Sequence, residues 1–98
     1  MASIRFEWDP RKAAANLHKH GISFAEAETA FSDDYATITE DPDHSDDEER
    51  FLLLGMSAGL RVVVVVHCVR EAGSVIRLIS ARRATRSERA QYDARWKR

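Results

Sequence analysis

Apolar and charged positions alternate at the start of the chain, Ile4-Arg5-Phe6-Glu7-Trp8, the period of two expected of a short, half-buried strand at a sheet edge. The rhythm then changes. Asp9-Pro10 reads as a helix start, because an Asp N-cap accepts from orphan amides and Pro loses no hydrogen bond at the first helical position. The helix is predicted to run to about Lys19. His18, Lys19 and His20 fall in its last turn, where positive charge complements the dipole, and Gly21 can take the left-handed conformation just beyond. Ser23 with Glu26 is a capping box and Ile22 can staple onto Ala27, which predicts a second helix over 23–31 with Ala27, Ala30 and Phe31 on its core face.

After the Ser32-Asp33-Asp34 turn, residues 35–39 are rich in strand formers, and a second strand is predicted from Phe51-Leu52-Leu53-Leu54. Ser57-Ala58-Gly59 and Glu71-Ala72-Gly73 read as hairpin turns flanking a valine-rich strand over 60–69, with a further strand over 74–81. The last three strands therefore make a meander. Residues 62–66 are apolar on both faces, as a central strand covered on both sides requires, each buried valine contributing roughly 1.5–3 kcal/mol. Thr85 and Glu88 form another capping box, opening a terminal helix to about Lys97 on which Tyr92 and Trp96 share a face. The predicted order is β-α-α-β-β-β-β-α, an α+β fold class on a mostly antiparallel sheet with two N-terminal helices and one C-terminal helix.

Composition narrows the class. At 98 residues with 44% hydrophobic and 32% charged, the expectation is one domain spanning 1–98. A lone cysteine, Cys68, excludes an intrachain disulfide, and neither a secretory leader nor an apolar run of membrane-spanning length is evident, so a cytoplasmic protein away from the membrane is expected. The net charge of −1 conceals a strong asymmetry. Residues 60–98 hold ten Lys or Arg against three acids, about +7, whereas residues 1–59 hold five against thirteen, about −8. Clustered Arg and Lys are the electrostatic footprint of phosphate contacts, so a polyanion-binding face is expected in the C-terminal part.

The order of short motifs then resembles a known family. Phe6-Glu7-Trp8-Asp9-Pro10, Lys12-Ala13, Asn16, Lys19-His20-Gly21, Ser23-Phe24 and Glu26-Ala27 look like the start of the BrnT toxins. His44-Ser45, Glu49-Arg50, the strand ending at Arg70, and Ile79-Ser80-Ala81-Arg82-Arg83-Ala84 with Glu88 and Tyr92 follow in the same order. The resemblance implies the toxin half of a type II toxin-antitoxin pair with a RelE-like fold, an RNA-cleaving enzyme that stops translation. It also implies a BrnA-type antitoxin as partner, through which alone operator DNA would be contacted.

Metal-free RNA cleavage needs a group to take the 2′-hydroxyl proton, positive charge on the phosphate, and a proton for the departing 5′-oxygen. No cofactor is called for. Arginine pairs two phosphate oxygens at once and stays charged, so Arg70 and Arg82, at the ends of adjacent strands, form the leading catalytic pair. Successive strand ends in a meander lie at opposite edges unless staggered, which keeps Arg77 and Arg83 as alternates for contacting RNA. His67, Glu88 and Tyr92 are the candidate acids and bases. Each has a plainer explanation: a core histidine bonded to a carbonyl, a capping-box acid, and a tyrosine packed on the sheet. Arg86, Lys12 and Lys19 could extend an RNA-binding surface, although an Arg-rich helix is often only a solvated face with pairs such as Arg89 with Asp93.

Two apparent metal sites are discounted. His18 and His20, two apart on a helix, point to different faces, and the acidic stretch around His44 lacks the spacing of a calcium loop. The alternative to a nuclease is a non-catalytic module that grips RNA or an acidic partner without cutting. A DNA-binding regulator acting alone finds no helix-turn-helix or ribbon pattern to support it.

Overall fold

The computed structural model describes residues 3–43 and 49–96; the side chain of Trp96 and the acidic segment with His44, Asp46 and Asp47 lie outside the described residues, so the expectations placed on them do too. Eight principal elements run in the predicted order. They are β1 (Arg5–Glu7), α1 (Pro10–His20), α2 (Phe24–Thr29), β2 (Thr37–Glu40), β3 (Phe51–Met56), β4 (Val62–Arg70), β5 (Val75–Arg83) and α3 (Arg86–Trp96). The five strands form one mixed sheet in the order β1-β5-β4-β3-β2, in which β1 lies parallel to β5 and the other pairs are antiparallel.

Local chemistry sets the helix ends. The Asp9 carboxylate accepts from the Arg11 amide at 2.8 Å, and Gly21, at φ 70°, donates its amide to the Leu17 carbonyl at 2.9 Å. Ser23 accepts from the Glu26 amide at 3.0 Å and starts α2, which gives way to a 3-10 turn at Ala30–Ser32. α2 is thus shorter than expected from the sequence, and its apolar face continues into that turn through the buried Ala30 and the half-buried Phe31.

The main core lies on the sheet face beneath α2. Ile22, Phe24 and Ala27 meet Leu53, Val63, Val65, Leu78 and Ala81 there, with Phe6, Trp8 and Phe31 closing its edge. Ring packing fixes the border, since Phe31 meets Phe6 and His67 edge-on at centroid distances of 5.1 and 4.9 Å. β4 is central, as its valines predicted. Asn16 joins α1 to β5 where β1 has ended: its side-chain amide donates to the carbonyls of Ala81 (2.8 Å) and Ile22 (2.9 Å) and its oxygen accepts from the Ala81 amide (3.0 Å).

A register shift between β4 and β5 has consequences for the site. Val66 faces Ser80 and His67 faces Leu78, leaving Ile79 as the extra residue of a bulge. Side chains alternate along a strand, so Arg77 and Arg82, an odd number apart, would ordinarily point to opposite faces. The bulge resets the phase. Arg82 pairs with Val64 and Arg77 with Cys68, and these partners share one face of β4, together with Arg70. That is the face opposite the main core; α3 meets the sheet at β3, with Tyr92 buried.

Candidate active site

The end of β5 and the start of α3 are joined by an ion pair. The Arg82 guanidinium donates to both carboxylate oxygens of Glu88, at 2.8 and 3.0 Å, and also reaches the Arg83 carbonyl at 3.2 Å. Glu88 carries a second duty. Its Oε1 accepts from the Thr85 amide at 2.8 Å while its own amide donates to the Thr85 hydroxyl at 3.2 Å, so the capping box read in the sequence is present. The Arg82 fork, helped by Thr85 and opposed by burial, holds the Glu88 carboxyl down to about 2. Arg83 and Arg86 are both exposed, but Arg83 pairs with Val63 and so stands on the α2 face of the sheet, near enough to Glu26 to favour its ionised form.

One helical turn further on, Tyr92 is buried and donates its phenol proton to Asp33 Oδ2 at 2.6 Å. Burial and the adjacent carboxylate push the phenol's pKa up, so the proton stays on Tyr92. Asp33 also accepts from the Met56 amide at 2.8 Å and the Tyr35 amide at 3.0 Å. Burial works against its ionised form, but these three bonds outweigh it and the carboxyl sits below its usual range. Farther along α3, Arg95 Nε donates to the Tyr35 carbonyl at 2.9 Å. Asp33, read in the sequence only as part of a turn, therefore anchors α3, β3 and its own loop together.

The leading pair expected from the sequence is not brought together. Arg70 faces Val75 at one end of the β4–β5 ladder, whereas Arg82 faces Val64 at the other. Six residues of β4 separate the two positions, roughly 20 Å at about 3.3 Å per residue, too far for one phosphate. Arg77 is the side chain that stands next to Arg70, diagonally across the ladder, and it donates to Glu7 at 3.0 Å. Lys12 and Lys19 are exposed on α1, a separate element from the one that carries Glu88.

His67 takes the plainer of its two roles. Its ring is 1% exposed, lies between Phe31 and Phe51, and places Nδ1 3.1 Å from the Val65 carbonyl. Burial lowers its pKa, so the ring is neutral at pH 7, and no face of it is open to a substrate.

Sequence reasoning missed a third charged cluster. Glu26 turns its carboxylate to Arg61, which bonds both carboxylate oxygens, and accepts from Ser57 Oγ at 2.7 Å; Arg61 also reaches the Gly21 carbonyl at 3.2 Å. Arg61 and Ser57 flank the β3–β4 turn, so no short-range pattern could have joined them to a residue on α2. This network ties that turn to α2. Among the described residues no group of three or more His, Cys, Asp or Glu side chains converges, and no described helix is long and apolar enough to cross a membrane.

The comparisons with known proteins decide the family. Residues 8–88 match the family described as ribonuclease toxin, BrnT, of type II toxin-antitoxin system. The chain belongs to the BrnT toxin family. Its members are ribonuclease toxins, and the matched span takes in α1, α2, the strands β2 to β5 and the Arg82–Glu88 pair. The fold agrees with the crystal structure of the Brucella abortus ribonuclease toxin BrnT, at a TM-score of 0.62 and 26% identity, over 86% of this chain and 100% of that one. No curated protein matches the chain. The α+β architecture with a mixed five-stranded sheet and three helices is thus the BrnT architecture, and the expected toxin and ribonuclease assignment holds.

Proposed function

We propose that residues 1–98 form a single toxin domain of RelE-like type, a metal-independent endoribonuclease of the cytoplasm whose cutting of RNA blocks translation. Its partner is a BrnA-type antitoxin, which alone contacts operator DNA. The observation that carries the catalytic reading is the two-pronged Arg82–Glu88 pair at the junction of β5 and α3, with the exposed Arg86 in the first turn of that helix.

The pair supplies a phosphate ligand and a base in one unit. A phosphate of RNA competes with the Glu88 carboxylate for the Arg82 fork, since both present two oxygens at matching spacing. As Arg82 turns to the phosphate, the charge that holds the Glu88 pKa near 2 is withdrawn and the carboxylate becomes a stronger base. It can then accept the 2′-hydroxyl proton. The 2′-oxygen forms a bond to phosphorus, the bond to the 5′-oxygen breaks, and that oxygen takes its proton from solvent, leaving a 2′,3′-cyclic phosphate and a 5′-hydroxyl. Arg86 neutralises a neighbouring phosphate, and Arg83, on the α2 face of the sheet, meets the RNA strand where it passes the end of β5. Tyr92 acts as a positioning residue, because its proton is engaged by Asp33 and its bond fixes the helix that carries Glu88. Arg70 and Arg77, at the far end of the same sheet face, bind RNA away from the cut.

The test is cleavage of end-labelled RNA in EDTA by the wild-type chain beside Arg82→Ala and Arg70→Ala. Cyclic phosphate ends from wild type, a turnover drop of about 10²–10³-fold in Arg82→Ala, and retained turnover in Arg70→Ala are expected. Equal turnover in all three proteins overturns the assignment.

A further inference from the structure

The groove between α2 and α3 supplies no reacting group to the chemistry above, although the positioning pair Tyr92 and Asp33 stands in its wall. Its volume is about 720 Å³, and its wall includes Glu28, Asp33, Tyr35, Met56, Ser57 and Tyr92. That size lies within the roughly 300–1,000 Å³ of sites that bind small molecules, and a mainly apolar wall with a few polar groups is their usual character. We infer that this groove is a nucleobase subsite, which takes an unpaired guanine of the RNA with Glu28 reading the base edge and Tyr35 stacking on its face. The inference rests on the ribonuclease reading.

Three observations favour a base. Most polar groups of the wall are already engaged: Asp33 accepts from Tyr92, Met56 and Tyr35, and Ser57 donates to Glu26. Glu28 differs, since this half-buried residue lines the groove and its side chain makes no hydrogen bond or ion pair to any described residue. Tyr35 is 48% exposed at the rim, an aromatic face left open to solvent. The cations stand outside the groove rather than in it. Arg95 is held against the Tyr35 carbonyl at one end, and the Arg82–Glu88 pair lies one helical turn, about 6 Å, back along α3 from Tyr92. A bound nucleotide needs this division, with its base in an apolar slot and its phosphates at a basic rim. Single-stranded RNA is bound in such a way, by stacking on aromatic rings and hydrogen bonds to exposed base edges.

The carboxylate selects among the bases. It can only accept hydrogen bonds. Guanine offers N1–H and the 2-amino group side by side, two donors for two oxygens. Adenine and cytosine present one amino group beside a ring nitrogen that is itself an acceptor, and uracil presents one N–H between two carbonyls. Each of these sets an acceptor against a carboxylate oxygen, so guanine is preferred.

The test uses four short RNAs that differ at one position, as G, A, C or U, with the full-length protein. Cleavage is followed on the natural strands and binding, by fluorescence anisotropy, on 2′-O-methyl versions that cannot be cut. Wild type is expected to favour the G strand by roughly tenfold or more in kcat/KM and in affinity, the worth of one good paired contact. Glu28→Gln should bring the four strands within about threefold of one another, while Tyr35→Ala weakens all four by roughly five- to hundredfold. Thermal unfolding of both variants controls for folding. Equal use of the four strands by wild type, or a uniform loss across them in Glu28→Gln, overturns the inference and leaves the nuclease intact. Unchanged RNA selectivity with lost antitoxin binding overturns it in favour of a protein occupant. A wild-type protein that neither binds nor cuts any strand refutes the nuclease reading itself.

Discussion

Glu88 shows how much one side chain can be asked to do. It caps α3 through Thr85 and neutralises Arg82, and these duties can be separated by removing its charge and keeping its acceptor. Glu88→Gln should preserve the helix start and the melting temperature to within a few degrees. Turnover should fall by about 10²–10⁴-fold while RNA affinity holds or rises, because Arg82 is released toward phosphate. Single-turnover rates and anisotropy titrations distinguish this from a folding defect. His67 gives a prediction of the opposite kind, on stability alone. Its folded pKa is lowered by burial, so the unfolded chain binds the proton more readily. Stability should be full above the ordinary His value near 6.5 and fall as pH drops below it, with Glu88 adding a further loss between about 4.5 and 2. Melting curves at pH 7.5 and 5.5 should show a larger decrease for wild type than for His67→Gln, and equal decreases would refute the account.

Elements are held to one another here by single polar side chains. Asn16 satisfies the amide and carbonyl of Ala81 and the carbonyl of Ile22, all in the interior where water cannot replace it. Asn16→Ala leaves those groups unpaired and should cost about 2–4 kcal/mol, read as the shift in denaturant midpoint at constant slope. α3 depends on a comparable device, since Tyr92 is buried and donates to Asp33. Tyr92→Phe keeps the ring and removes the bond, so hydrogen exchange of α3 amides should quicken by about tenfold or more while β4 and β5 amides stay protected. The strands needed fewer such aids. Alternation and apolar runs predicted their order and their central member, and the helix caps at Asp9, Ser23 and Thr85 formed where expected.

Across the whole molecule, the charge asymmetry resolves into two separate basic regions on one sheet face. Arg82 lies at one end, and Arg70 beside Arg77 at the other. Both should contribute to RNA binding, and only the first to cutting. Removing either Arg82 or Arg70 should lower the slope of log K against log salt by about 0.7, the effects should add because the sites are far apart, and cleavage should fail in Arg82→Ala alone. The family, the element order, the caps and the basic C-terminal part were legible in the amino-acid sequence, because each depends on residues close together in the chain or on their periodicity. The pairing of Arg82 with Glu88 rather than with Arg70, the burial of His67, and the roles of Asp33, Arg61 and Asn16 were not. They depend on strand register, and one bulge at Ile79 shifts that register by a residue and moves every later side chain of β5 to the other face. Periodicity shows that a strand exists, but only the packed sheet decides which partner each of its residues meets.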